Sequence, residues 1–396
     1  MNARAIIYNL MIIGAMLLAG CSHDDVTIDI TPSEPVAISF MPTLSPTLAE
    51  GEETTRAGQP GVMNSEDLRT TGFGVFASLN ENKTPDMMFN QEVKFTFVGD
   101  IDKPDPDDPL KGYWSYQPLK YWPTGLTSTS NFYISAYAPY QNLPIDPSGT
   151  GIIGISANNE APYIDYRRCE KPDEMVDLLW YYDKPSSIPA ATSDLAAGTQ
   201  KIEMRHALAR LEINVALATA PASGTKVLIE KITLKGEMAK EGRLSLSTQK
   251  TAIETVIENE VARDVTRYYP IWTNQTYEDR TITIKNNEDD SYGIIDSQVR
   301  YIDGLPYAWQ PAGLTTTLQN ALSTGDRKGY IYLIPQDKQE LKVKVKYHIV
   351  TTTSDVTKSS IESTVRIPNP TEDDPNPKLR GNIPYALNIT LSGVSN

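Results

Sequence analysis

The sequence predicts an all-β protein built of β-sandwiches. Three observations carry that prediction. Apolar and polar residues alternate with a period of two in many short runs, the pattern of half-buried strands. Turn formers punctuate those runs, with 28 Pro and 24 Gly in 396 residues. Helical spacing of apolar residues shows in only two short stretches, so the layers must be sheets. At roughly 100–200 residues per domain the length fits two domains. Hydrophobic residues make up 40%, enough to build packed cores and too many for a disordered chain.

The first twenty residues read as a targeting segment. Arg4 is the only charge before Asp24, and residues 5–19 are mostly apolar. That run is shorter than the about 20 residues that span a bilayer. It reads as the apolar region of a signal peptide over residues 1–20. It ends in Leu18-Ala19-Gly20-Cys21, which resembles the bacterial lipobox. The resemblance implies cleavage before Cys21 and lipidation of its thiol and new amino group, palmitate being one such acyl chain. An ordinary signal peptide with an incidental cysteine is the alternative. Ser22-His23-Asp24-Asp25 follows. An acidic cluster there resembles the surface-export signal of lipoproteins in Bacteroides-type bacteria, with a solvated tether as the alternative.

The body is a succession of strands. Val36, Ile38 and Phe40 alternate with Ala37 and Ser39. Residues 43–61 are rich in Pro, Gly, Glu and Thr and read as a loop. Strands are predicted at 73–77, 93–97, 132–136 and 178–182, with an aromatic stretch at 114–122. Pro139 ends the third of these. Residues 186–199 are small and polar and mark a domain boundary. Ile202, Met204, His206 and Leu208 then share one parity, and Leu211, Ile213, Val215 and Leu217 the other. One long strand with a bulge at Ala209-Arg210 predicts that switch, and a short helix over 205–211 is the rival. Further strands are predicted at 227–234, 281–285, 330–334, 341–349, 364–367 and 385–391. Two short helices are predicted, one lined by Ile253, Val256, Ile257 and Val261, the other by Leu314, Leu318 and Leu322.

Composition excludes much chemistry. The chain carries 50 acidic and 36 basic residues, a formal charge of −14, and lacks the basic footprint of a nucleic-acid binder. Only 3 His and 2 Cys are present, too few for zinc clusters or a disulfide scaffold. No Walker loop, dinucleotide fingerprint, HExxH or nucleophile elbow occurs. No catalytic residue, cofactor or metal is therefore assigned, and the chain does not read as an enzyme. With Cys21 acylated, Cys169 is left alone and reads as a buried small residue. His206 falls on an apolar strand face and reads as a buried, hydrogen-bonded structural histidine, while His348 lies on a lysine-rich face and reads as exposed. The acidic stretch from Asp100 to Asp108 offers alternate oxygen ligands for calcium, but it lacks the EF-hand Gly and terminal Glu and reads as a solvated loop. Glu372-Asp373-Asp374 reads the same way. Trp272 and Trp309 are candidate sugar platforms or core residues.

Ordered motifs point further. Trp114-Ser115-Tyr116-Gln117-Pro118, then Tyr121-Trp122-Pro123, then the run from Phe132 to Pro139 resemble the signature of the fimbrillin-like (Mfa-like) surface lipoproteins, type V pilus subunits of Bacteroides-type bacteria. Asp177-Leu178-Leu179-Trp180, the segment Met204–Leu211, Thr54-Thr55-Arg56-Ala57 and the closing strand at 385–391 fall in the order that family has. The resemblance implies two transthyretin-like sandwiches in tandem, 57–198 and 199–396, preceded by a lipidated tether and removable strand over 21–56. It implies a pilus subunit at the outer membrane surface, later in a fimbrium. A trypsin-like protease then cuts after an arginine in the N-terminal loop, an N-terminal strand leaves, and a donor strand from another subunit fills the groove. Other pilus subunits are the implied partners, with a host or bacterial surface ligand beside them.

The residues support the cut on their own. Arg56 is the only basic residue between Arg4 and Arg69. It lies in a polar, Pro/Gly-rich stretch of the kind proteases reach, so the bond Arg56-Ala57 is the expected processing site. A plain loop arginine is the alternative. Only four residues, Gly393 to Asn396, follow Ser392 at the end of this alternation, fewer than a donor strand needs, which sets the expectation of a tip or accessory subunit that does not polymerise alone. The other function class kept open is a monomeric surface lipoprotein that binds glycans through exposed aromatics.

Overall fold

The computed structural model describes residues 35–45, 63–97, 112–170, 174–217, 225–258, 261–286, 293–295, 300–302, 305–307, 314–317, 331–337, 340–351, 354–366 and 378–391. Its first half holds β1 (Ser39–Leu44), one helix α1 (Ser65–Thr71), β2 (Phe73–Ser78), β3 (Met88–Phe97), β4 (Gly112–Ser115), β5 (Tyr133–Ala138), β6 (Gly151–Ile155), β7 (Tyr163–Arg167), β8 (Leu179–Asp183) and β9 (Thr199–His206). Its second half holds β10 (Ala209–Leu217), β11 (Thr225–Ser245), β12 (Lys250–Glu258), β13 (Val261–Tyr269), β14 (Trp272–Asn286), β15 (Gly293–Ile295), β16 (Arg300–Ile302), β17 (Leu305–Tyr307), β18 (Leu314–Thr317), β19 (Ile331–Leu333), β20 (Glu340–Thr351), β21 (Ser354–Arg366) and β22 (Pro384–Leu391). The protein is all-β, as its alternation predicts.

Seven strands form the first sheet, in the order β1-β9-β8-β5-β2-β3-β4. Its two ends meet. Ala37 bridges Tyr121 in antiparallel fashion. The Ile38 N–H donates to the Lys120 carbonyl at 2.8 Å, and the Trp122 N–H to the Val36 carbonyl at 2.9 Å. The sheet thus wraps around a core of its own, which includes Ile38, Phe40, Phe73, Val75, Phe132, Ile134, Ile202 and Met204. Every residue of β2 is buried. Phe73, Val75 and Ala77 point into this core, while Phe76 joins Tyr137 and Trp180 in a second one. That is why the alternation of β2 is masked by continuous apolar character, as in a strand covered on both faces.

The second core is completed by the later strands. β11 runs for 21 residues and pairs with β14, β20, β15 and β7. Leu341, Val343, Val345 and Tyr347 of β20 are buried while Lys342 and Lys346 are exposed, so the lysine alternation marks the solvent face. β22 lies parallel to β10, and β18 and β19 pair with β10 as well.

Three local expectations change. The parity switch after His206 marks two strands in two sheets, β9 and β10, instead of a bulge in one strand or a short helix. At the break the Ala207 N–H donates to Leu178 O at 2.7 Å, and Leu208 O accepts from Asn382 N at 3.2 Å. Loop partners satisfy the backbone there, so the chain can change sheets. The helix expected around Ile253–Val261 is the hairpin β12–β13, with Lys250 opposite Tyr269 and Glu258 opposite Val261. Its β-branched residues favour a pleated strand over a helix. Leu314–Thr317 is likewise strand, and Leu318 and Leu322 lie outside the described residues.

Helix α1 was not expected. Its signal is a capping box: Asn64 Oδ1 accepts from the Glu66 and Asp67 amides, both at 2.9 Å, and Asp67 Oδ2 accepts from the Asn64 amide at 3.0 Å.

Candidate functional site

The site is built around β1. This strand runs parallel to β9 in a six-residue register, from Ser39 opposite Thr199 to Leu44 opposite Met204. On its other side β9 pairs with β8 only at Arg205 and His206. Residues 199–204 of β9 therefore rely on β1 for their ladder. Without β1 they present an unpaired edge, the template on which another strand adds.

The inward side chain of β1 at Phe40 and that of Ile38 just before the strand fill pockets. Ile38 is fully buried and Phe40 nearly so, whereas Met41 faces solvent. Phe40 meets the Phe73 ring edge-on at 6.3 Å and the Tyr116 ring at 5.5 Å. Burying two such side chains contributes about 3–6 kcal/mol.

Polar groups frame the seat. The Tyr116 hydroxyl donates to Ile38 O at 2.9 Å and accepts from the Lys120 amide at 3.2 Å. Burial raises the Tyr116 phenol above its ordinary pKa, partly offset by its hydrogen bond at Lys120, so it stays a donor at neutral pH. Gly198 O accepts from Trp122 Nε1 at 2.8 Å and from the Ser39 amide at 3.1 Å. Gly198 has φ +80°, and a Cβ there would lie 2.4 Å from Ala37 O. Only glycine allows both that backbone conformation and that approach. The Ser39 and Thr199 hydroxyls are 2.8 Å apart and hydrogen-bond across the pair.

The chain returns to the described body at Met63, close behind the expected cut in sequence. Its N–H donates to Asp177 Oδ2 at 3.3 Å, and Asp177 Oδ1 accepts from the Leu178 amide at 2.9 Å. The same carboxylate bonds His206 Nδ1. His206 is thus buried and hydrogen-bonded, and its partner Asp177 comes from the motif beside β8.

Of the expected site residues, Cys21, Arg56 and Ala57 lie outside the described residues. So do the acidic stretch from Asp100 to Asp108, Glu372-Asp373-Asp374, Trp309 and the side chain of His348. Cys169 is a buried free cysteine. Trp272 is half-buried, donates to Ala207 O at 3.1 Å and meets Tyr166 edge-on, a packing role. Among the described residues no group of three His, Cys, Asp or Glu is placed to hold a metal. Sequence reasoning named the motif that contains Tyr116 and Trp122 without their task, and missed Gly198 and Thr199.

Comparison with known proteins decides the family. The sequence model of a family described as fimbrillin-like matches residues 55–298, more than half of the chain. The chain belongs to the fimbrillin-like family. These are structural proteins without enzymatic activity. Among solved structures, this fimbrillin-like chain is similar to a fimbrial protein from Bacteroides vulgatus, with 17% identity, 90% of this chain and 95% of that chain covered, and a TM-score of 0.45. It is also similar to a candidate cell adhesion protein from Bacteroides uniformis, with 10% identity, coverage of 91% and 94%, and a TM-score of 0.40. A comparison with curated proteins finds no match.

Proposed function

We propose that this fimbrillin-like chain is a structural and adhesive subunit of a cell-surface pilus, at its tip or as an accessory. It is made as a lipoprotein and assembles by strand addition at the seat of β1. In this reading lipid on Cys21 holds the precursor at the outer membrane, facing outward. An arginine-specific protease cuts between Arg56 and Ala57. The cut separates the segment 21–56, β1 included, from the body, in which β9 belongs to the first sheet and β6 and β7 join the sheet of β11. A strand from another pilus subunit then takes the seat.

The observation that carries the proposal is the pairing of β9, with six residues facing β1 and two facing β8. Magnitudes support it. Side-chain burial of about 3–6 kcal/mol holds β1 well while it is tethered. Once the tether is cut, that energy is modest enough for a strand with a longer ladder to displace it.

Brief trypsin treatment of the folded precursor is expected to cut first after Arg56, leaving a new N-terminus Ala57-Gly58-Gln59. A first cut in the second half of the chain contradicts the proposal. Cys21→Ala is expected to abolish palmitate labelling while the body folds, and labelling that persists in this variant contradicts the lipid anchor.

A further inference from the structure

The seat of β1 has an outward row of side chains that β1 leaves unanswered. In the parallel register Ser39 faces Thr199, Met41 faces Lys201 and Thr43 faces Glu203. The Ser45 N–H donates to Met204 O at 2.7 Å, just as the Ser39 N–H donates to Gly198 O at 3.1 Å. Ser45 therefore continues the ladder opposite Arg205. The Ser39 and Thr199 hydroxyls meet at 2.8 Å, so the side chains of this row share one face of the sheet. The other parity of β9, with Gln200, Ile202 and Met204, is buried.

Charge stands on one side of the row only. β9 contributes Lys201, Glu203 and Arg205, whereas residues 35–49 carry no charge at all. Lys201 is exposed, and among the described residues its ammonium has no carboxylate partner. Glu203 reaches along its own strand to Arg205 Nη2 at 3.4 Å, with its side chain 49% exposed. Arg205 is buried, its guanidinium 4.2 Å from the centroid of the Tyr268 ring. Its Nη1 has no hydrogen-bond partner. A buried charged donor without an acceptor is unfavourable, and Met41, Thr43 and Ser45 bring no carboxylate to this row.

We propose that the strand which replaces β1 comes from a different chain and carries carboxylates at the places of Met41 and Ser45, opposite Lys201 and Arg205, with none at that of Thr43, opposite Glu203. The inference rests on the strand addition proposed above and names the chemistry of its partner. Opposite charges facing each other across a ladder favour pairing, and like charges oppose it. The inward pockets of Ile38 and Phe40 ask only for apolar side chains of the right size, which many alternating strands supply. The outward row separates one such strand from another. A second copy of this chain is the poorer occupant. Its residues 35–49 and 381–396 are both uncharged, so neither segment answers the row. A neutral β1 also suits a resident that leaves, because it fills the pockets and forgoes the charge pairs that its successor gains.

The test uses the protein with Cys21→Ala, cut at Arg56, and three fluorescent peptides of residues 35–46. One is unchanged, one carries Met41→Glu with Ser45→Glu, and one carries Met41→Lys with Ser45→Lys. A fourth peptide, of residues 384–395, stands for a second copy. Anisotropy at low salt is expected to show the Glu peptide binding about tenfold tighter than the Lys peptide and tighter than the other two. The gap is expected to narrow in about 0.5 M sodium chloride. In a Lys201→Glu body, peptides changed at position 41 alone are expected to reverse their order, with Lys now favoured over Glu. Equal uptake of the Glu and Lys peptides overturns the inference and leaves strand addition standing. So does tightest uptake of the 384–395 peptide, or an order at position 41 that Lys201→Glu does not change. Uptake of none of the peptides overturns strand addition itself, and the inference with it.

Discussion

At Gly198 a missing Cβ decides how close two backbones come. Its φ of +80° and the 2.4 Å that a Cβ would have to Ala37 O act together. Gly198→Ala is expected to destabilise the uncut protein by about 1–3 kcal/mol, seen as a lower urea midpoint, and an unchanged midpoint contradicts the close packing of β1. Tyrosines set a second residue-scale outcome. Burial raises the phenols of Tyr116, Tyr137, Tyr166 and Tyr181 above their ordinary value. In the unfolded chain they ionise near the ordinary value of about 10. The folded state keeps their protons longer, so their contribution is fully present below about pH 10 and is lost as pH rises through the folded values. Urea unfolding at stepped pH is expected to show stability falling above about pH 10, with absorbance near 295 nm from these four rings rising only on unfolding. Full tyrosine ionisation in the folded protein contradicts their burial.

Strands, more than any residue, show what the sequence makes legible. β20 was readable because buried Leu341, Val343, Val345 and Tyr347 alternate with lysines, one face being wet and one dry. β5 and β22 were readable from the alternation of residue types along their sequence, although β5 is buried on both faces. The β9–β10 junction was half-readable. Parity changes whether a strand bulges or crosses to another sheet, and only the distant partners Leu178 and Asn382 separate the two cases. Helix α1 escaped because its information sits in one capping box at Asn64 and Asp67, with no room for helical periodicity in seven residues. β6 and β7 escaped because Gly151, Gly154 and Asp165 interrupt their apolar runs. At the β1 seat, the alternation of Val36, Ile38 and Phe40 and the motif holding Tyr116 and Trp122 were visible. Their meeting was not, since the ladder joins strands that lie 160 residues apart at Ser39 and Thr199. Gly198 carries no local signal at all, because its task exists only once β1 lies against it.

For the whole molecule, the fold isolates one strand from the rest. β1 closes a sheet whose other strands come from residues 73–206, while Arg56 lies in sequence between β1 and that sheet. One cut can therefore separate β1 from the body without breaking another strand. The account's central claim is that this cut makes the seat exchangeable. Ser39 and Thr199 face each other across the ladder with their hydroxyls 2.8 Å apart, and neighbouring strands at about 4.7–4.9 Å bring paired Cα atoms within disulfide range. The direct measurement uses Ser39→Cys with Thr199→Cys in a Cys21→Ala background, cut at Arg56 and offered a fluorescent peptide of residues 35–46. Uptake followed by anisotropy is expected to be strong in the reduced cut protein, absent in the uncut protein, and blocked when the disulfide is closed. A reduced cut protein that takes up no peptide, or an oxidised one that takes it up equally well, contradicts the account.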